Sequence, residues 1–126
     1  MLEHKENIIV NKCIDFSLSI ISYCEQLENN RKFVISNQLL KSGTSIGANV
    51  FEAQHSESKA DFIHKMKIAM KEVNETIYWL TLCDKSESYP NVAHLNEKIE
   101  LIFKIISKII ATSKNSINQK LDKAIA

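Results

Sequence analysis

Two carboxylate–histidine pairs are the residues of this sequence whose spacing could hold a metal ion. Glu52 precedes His55 by three residues, and Asp61 precedes His64 by the same number. On a helix this spacing places both side chains on one face, as in di-iron carboxylate bundles. A metal-binding bundle enzyme is therefore one hypothesis for this chain, and we keep it as the alternative to a non-enzymatic protein.

That alternative also requires inward-facing carboxylates on the other helices of a bundle. The candidates lie off the apolar seams described below: Glu25, Glu28, Glu97 and Glu100. A helix end explains His55 and Asp61 better, since a base suits a helix C-terminus and an acid suits an N-terminus. We predict no metal, no cofactor and no catalytic residue.

Lysines one helical turn apart are the residues that could contact nucleic acid. Lys67 and Lys71 form one such row, and Lys104 and Lys108 form another. Rows of cations bind phosphates, and symmetric assembly would multiply a modest row. A solvated surface competes, because Glu75 follows Lys71 by four residues, the spacing of ordinary helical ion pairs. The predicted nucleic-acid ligands are Lys41, Lys67, Lys71, Lys85, Lys104 and Lys108.

Three large apolar residues are predicted to lie outside the core. Projected at about 100° per residue, Ile68, Trp79 and Leu82 fall away from the apolar seam of their own segment. Exposed apolar groups with an aromatic anchor are typical of protein interfaces. We expect them to contact identical copies of the chain, the alternative being scattered surface residues or the filling of a wide core.

Small and polar residues are concentrated in the middle of the second segment. Gly43 and Gly47 are four residues apart, so they share a helix face on which another helix can approach closely. Thr44, Ser45 and Asn49 are expected to hydrogen-bond across that contact. A loop competes, because each glycine costs a helix about 1 kcal/mol relative to alanine. A phosphate-binding loop is disfavoured, since no Gly-Lys-Ser/Thr sequence follows.

Hydrophobic periodicity divides the chain into four helical segments. In the third, Phe62, Met66, Ala69 and Val73 recur at steps of 4, 3 and 4, which keeps them on one helix face. The predicted helices span about 6–29, 32–55, 59–86 and 92–115, and the tail 116–126 either frays or extends the last helix. Four amphipathic helices with short links predict a single all-α domain, 1–126, folded as an antiparallel up-and-down four-helix bundle.

Composition agrees with long helices and few turns. The 126 residues include 2 Gly and 1 Pro, too few for the many tight turns of a β-sandwich or barrel. A net charge of +1 gives no bulk electrostatic case for binding nucleic acid or membranes, although five lysines from Lys104 onward face only Asp122. Three cysteines without a CxxC motif and no recognisable leader or membrane-spanning run predict a cytoplasmic protein.

Three stretches of the chain resemble a known family. Residues 38–53 read QLLKSGTSIGANVFEA, residues 58–73 read SKADFIHKMKIAMKEV, and residues 75–80 read ETIYWL. This pattern is similar to the bacterial four-helix-bundle proteins called 23S ribosomal RNA intervening-sequence proteins, over roughly residues 10–110. Lys41 stands where arginine is common in that family, so a bidentate anion contact at this position is not carried over.

The resemblance implies an up-and-down bundle that assembles into homopentamers and has no enzymatic activity. It also implies RNA, or an enzyme that acts on nucleic acid such as a reverse transcriptase, as a partner. We therefore expect a non-enzymatic, homo-oligomeric scaffold or RNA-associated binding protein that does not enter membranes.

Overall fold

Four helices make up the fold of residues 7–125, the part of the chain that the computed structural model describes. They are α1 (Ile8–Asn29), α2 (Phe33–Ala53), α3 (Lys59–Lys85) and α4 (Ala93–Ile125). Each helix packs against the next along the chain, and α1 also packs against α4. Residues 7–125 contain no strand, and the predicted all-α four-helix bundle is confirmed.

The helix ends follow from local side-chain chemistry. The Asn7 side chain caps α1 by accepting a hydrogen bond from the Val10 backbone N–H at 3.3 Å, and residue 6, the predicted start, lies outside the described residues. Ser58 Oγ accepts from the Asp61 backbone N–H at 3.0 Å, which satisfies an amide left free at the start of α3. Arg31, with φ of 61°, turns the chain from α1 into α2.

Two elements differ from the boundaries or alternatives considered for the sequence. Helix α2 is continuous through Gly43 and Gly47, so the loop alternative is wrong. Helix α4 does not end near residue 115 but continues to Ile125. Of the two outcomes considered for the tail, the described part extends the helix.

The core is a single apolar cluster to which all four helices contribute. Its largest fully buried side chains include Phe16, Tyr23, Leu39, Met66 and Ile102. The start of α3 differs in detail from the predicted seam, because Ile63 is buried and Phe62 is half-buried. Phe62 instead lines an open groove at the end of the bundle, beside Ile109 of α4.

Within residues 7–125, none of the helices is both long enough and apolar enough to span a bilayer.

Candidate self-association and anion-binding surfaces

The glycines of α2 form a close contact with α1. A Cβ atom added to Gly43 would lie 3.0 Å from two side-chain carbons of Ile20, and one added to Gly47 would lie 3.2 Å from Cys13 Cβ. These separations are shorter than ordinary carbon–carbon contacts, so a larger residue at either position forces a neighbour to move. The missing side chains therefore set how closely α1 and α2 approach within one chain.

Hydrogen bonds between these helices come from other residues than expected. Thr44 Oγ1 donates to the Leu40 carbonyl at 2.7 Å, Ser45 Oγ to the Lys41 carbonyl at 2.6 Å, and Asn49 Nδ2 to the Ser45 carbonyl at 2.8 Å. All three bonds stay within α2, because a short polar side chain on a helix reaches the carbonyl four residues earlier. The expectation that Thr44, Ser45 and Asn49 bond across the contact is therefore corrected.

Two buried serines of α2 hydrogen-bond to the neighbouring helices α1 and α3. Ser36 Oγ donates to the Cys24 carbonyl of α1 at 3.2 Å, and Cys24 Sγ donates to the Ser36 carbonyl at 3.5 Å. On the other side of α2, the hydroxyl groups of Ser42 and Thr76 are hydrogen-bonded at 2.9 Å. Bonds of this kind fix the register of α2 against both neighbours, since a shift would leave buried polar groups unpaired.

An apolar stripe on the outer surface of α1 is a feature that sequence reasoning missed. Ile14, Leu18 and Ile21 are 45%, 60% and 42% exposed, and we call them the α1 stripe. They follow one another at steps of 4 and 3, so they share a face that is offset from the buried seam toward α2. The signal was present in the sequence as a second apolar series beside the first.

The three residues predicted as an oligomer interface are less exposed than the α1 stripe. Ile68, Trp79 and Leu82 are all half-buried within one chain. Trp79 packs against the edge of the core, and its indole N–H donates to Glu75 Oε2 at 3.1 Å. Its ring also meets Tyr78 edge-on, with ring centroids 5.1 Å apart. Part of the surface that was expected to need a partner copy is thus covered inside the bundle.

The six predicted lysine ligands do not form a single group. Lys67 of α3 and Lys114 of α4 face each other, and contact with the Lys114 ammonium lowers the pKa of Lys67. Neither lysine has a carboxylate within ion-pair distance among residues 7–125. The exposed Lys71 lies one turn after Lys67 on α3, and the exposed Lys108 of α4 lines the groove beside the start of α3; we call Lys67, Lys71, Lys108 and Lys114 the α3–α4 lysine cluster.

The remaining predicted lysines lie apart from this cluster or are engaged elsewhere. Lys104 pairs with Glu100 on its own helix, with Nζ and Oε1 3.6 Å apart. Lys41 is on α2, where its charge acts on the Glu72 carboxyl, and Lys85 is at the opposite end of α3. Lys114 was not predicted as a ligand, because its position opposite Lys67 depends on the alignment of α3 with α4.

The carboxylate–histidine pairs lie at the link between α2 and α3. Asp61 accepts a backbone hydrogen bond there and pairs with Lys65 at 3.3 Å, while the His55 ring packs on Phe51 with centroids 5.7 Å apart. Within the described part of the chain, no group of three or more histidine, cysteine and acidic residues could hold a metal ion. The geometry of this link thus agrees with helix-end roles for His55 and Asp61.

Burial suppresses the ionisation of the cysteine thiols. Cys13, Cys24 and Cys83 are all buried and free. Loss of solvation raises the pKa of Cys13 to about 12 and that of Cys24 to about 11. Thiols held in the neutral form are poor nucleophiles, so these cysteines serve as small apolar core residues.

Comparison with known proteins supports the resemblance seen in the sequence motifs. The chain is similar to a crystal structure of a protein of unknown function from the S23 ribosomal protein family of Bacteroides thetaiotaomicron, with 42% identity and a TM-score of 0.77. That match covers 81% of this chain and 97% of the other. No curated protein matches the chain. The family model described as 23S rRNA-intervening sequence protein matches residues 5–111, and the chain belongs to this family.

Proposed function

We propose that the chain is a non-enzymatic scaffold of the cytosol that self-associates, as a ring of five copies, and binds RNA. The single observation that carries the RNA-binding part is the facing pair of Lys67 and Lys114, with no carboxylate between them in the described structure. The free, buried thiols suit a reducing compartment.

Like-charged ammonium groups at close range favour an anion between them. The mutual repulsion that lowers the pKa of Lys67 would be relieved by a phosphate group, which accepts hydrogen bonds from both lysines. Lys71 lies one turn after Lys67 on α3, so successive phosphates of a nucleic-acid backbone could be contacted along this flank. Five copies in a ring would repeat the α3–α4 lysine cluster and strengthen the field that attracts a polyanion.

Self-association is supported by the exposed apolar side chains of α1. Monomeric soluble proteins rarely expose contiguous apolar surface of this kind, because water contact with it is unfavourable. The α1 stripe places three branched aliphatic side chains along one outer face. Light scattering should give a mass close to five times the 14.4 kDa of one chain. A mass of one chain at micromolar concentration would contradict this part of the proposal.

RNA binding is tested by the fluorescence anisotropy of a labelled RNA hairpin titrated with the protein. We expect the affinity of the wild-type protein to fall steeply as salt rises, because bound counterions are released from the phosphates. The double variant Lys67→Glu/Lys71→Glu should bind at least tenfold more weakly at low salt.

A charge-matched control distinguishes RNA binding at a defined surface from a general effect of net charge on the affinity. Lys41→Glu/Lys85→Glu changes the net charge by the same amount but alters lysines outside the α3–α4 lysine cluster. We expect this variant to retain most of the wild-type affinity. An equal loss in both variants, or no binding by the wild-type protein at low salt, would refute the assignment of RNA binding to α3 and α4.

A further inference from the structure

The last ten described residues of α4 form a helical extension beyond the bundle. Lys59, the first residue of α3, lies beside Thr112 and Ser113 of α4. Buried residues of α4 also end at Ser113, although the helix continues to Ile125. Residues 116–125, which we call the C-terminal extension, therefore project past the start of α3. The family match ends earlier, at residue 111.

The C-terminal extension is amphipathic, and its apolar face becomes exposed beyond the half-buried Ile117. Ile117, Leu121 and Ala124 follow one another at steps of 4 and 3, so they share one face. Leu121 is 55% exposed and Ile125 is 83% exposed. In water a short helix segment gains most of its stability from packing of its apolar face, so this face is suited to a binding partner.

The α1 stripe matches this face in length and chemistry. At about 1.5 Å per residue, Ile14 to Ile21 spans about 10 Å and Ile117 to Ala124 spans the same distance. Each surface presents three apolar residues at steps of 4 and 3, the pattern by which two helices pack side chains into each other's grooves. The α1 stripe and, on the extension, Leu121 and Ile125 are exposed within one chain.

Charge is complementary between the two helices. Within Ile8–Asn29, α1 carries Lys12 against Asp15, Glu25 and Glu28, a net charge of −2. Asp15 already pairs with Lys98 of its own chain at 2.9 Å, which leaves Glu25 and Glu28 for a partner. The C-terminal extension carries Lys120 and Lys123 against Asp122, which gives +1. Opposite charges around an apolar contact favour the encounter of the two helices and limit wrong pairings.

We propose that the C-terminal extension of one chain docks on the α1 stripe of a second copy. Helix α4 is continuous, so its end cannot turn back onto the outer surface of its own α1. A second copy of the chain supplies the missing partner for both surfaces at once. This inference rests on the proposed self-association and names the contact that joins neighbouring copies.

Matched apolar-to-acid variants test the contact by sedimentation equilibrium. We expect Leu18→Glu and Leu121→Glu each to weaken self-association at least tenfold, and the double variant to lose no more than either single one, because both residues act in the same contact. Leu101→Glu is the control, since Leu101 is also exposed (43%) but belongs to neither surface. Circular dichroism should show the same helix content in all four variants.

Disulfide trapping gives a second, direct measurement. When chains carrying Leu18→Cys are mixed with chains carrying Leu121→Cys under mild oxidation, we expect a linked pair of the two different chains. The native cysteines are buried and do not compete. Chains carrying Asn74→Cys, at an exposed site on α3, should give no such pair with Leu121→Cys.

The outcomes separate this contact from self-association as such. If the wild-type protein assembles but Leu121→Glu assembles equally well, the docking is wrong and the proposed self-association stands. If only Leu18→Glu weakens assembly, the α1 stripe has a different occupant and the docking is again wrong. A wild-type protein that stays monomeric refutes both.

Discussion

The α1–α2 flank of the bundle is closely packed, whereas the α3–α4 flank is open. Between α1 and α2, two glycines remove side chains so that the helices approach closely, and the outer face of α1 is apolar. Between α3 and α4, large side chains such as Ile77 and Phe103 line an open groove, and unpaired lysines face each other. Close packing thus accompanies the surface we assign to self-association, and a looser border accompanies the surface we assign to anions.

The largest effect on folding should come from filling the glycine contact. Gly43→Val places a branched side chain where even a single Cβ would lie 3.0 Å from the fully buried Ile20. We expect the free energy of unfolding to fall by about 3 kcal/mol, as for other overpacked cores, measured by urea denaturation.

A valine at an exposed site of the same helix is the matched control for this substitution. Ala48→Val loses helix propensity, whereas Gly43→Val gains some, so propensity alone would make Ala48→Val the more harmful of the two. Because the exposed Ala48 does not meet α1, this control should cost less than about 1 kcal/mol. If the two variants are equally stable, α1 and α2 do not depend on a close approach at Gly43, and the contrast between the flanks is lost.

The second-largest effect on stability should come from alkaline pH, acting on the buried Cys13 where α1 meets α2. Burial raises the pKa of Cys13 from 9.0 to about 12. The contribution of this buried thiol to the free energy of unfolding is therefore complete below pH 9 and is lost as the pH rises toward 12. Above pH 9 the thiol ionises in the unfolded state but stays neutral in the folded state, which favours unfolding. At pH 10.5 the free energy of unfolding is lowered by about 2 kcal/mol, from 1.36 kcal/mol per pH unit.

The measurement compares wild type with Cys13→Ala at pH 7 and at pH 10.5. We expect the stability difference between them to shrink or reverse at the higher pH, since the variant has no thiol to ionise at this site. A difference that is constant over this range would contradict the burial of Cys13 between α1 and α2.

The fold was predictable from sequence because its signals are local. Steps of 3 and 4 between apolar residues such as Met66, Ala69 and Val73 identify a buried helix face without any knowledge of its partner. The break around Pro90 and the cap at Ser58 identify helix ends in the same way. Repeated four times, these signals leave few arrangements besides a bundle.

The surfaces were harder to predict because they depend on relations between helices. Trp79 was expected outside the core, yet it packs against the edge of the core and is half-buried. The contact of Lys114 with Lys67 depends on how α3 and α4 are aligned. The α1 stripe was overlooked because the buried seam already explained why α1 is a helix.

A smaller effect should come from the buried hydroxyl pair that joins α2 to α3. Ser42→Ala removes one partner of the 2.9 Å bond with Thr76, while Thr76 keeps its bond to the Glu72 carbonyl at 2.7 Å. We expect a loss of about 1 kcal/mol in urea denaturation, the usual net value of one hydrogen bond. Ser45→Ala is the control, because Ser45 bonds only within α2. Equal stability of the two variants would mean that the hydroxyl pair does not hold α2 against α3.

The smallest effect, and the one that best distinguishes the two flanks, concerns Lys67. Because Lys67 and Lys114 repel each other, Lys67→Gln should raise the melting temperature slightly at low salt, and the gain should vanish at 1 M salt, where charges are screened.

Inorganic pyrophosphate at fixed ionic strength should then raise the melting temperature of the wild-type protein more than that of Lys67→Gln, since an anion binds best where both cations remain. Lys41→Gln, which leaves the Lys67–Lys114 pair intact, should respond to pyrophosphate as the wild-type protein does. An equal response of Lys67→Gln and wild type would show that the facing lysines do not form an anion site. A residue pair that opposes folding on its own and stabilises the fold once a phosphate is bound is the arrangement expected of a binding surface, whereas Gly43 and Gly47 stabilise the fold without any ligand.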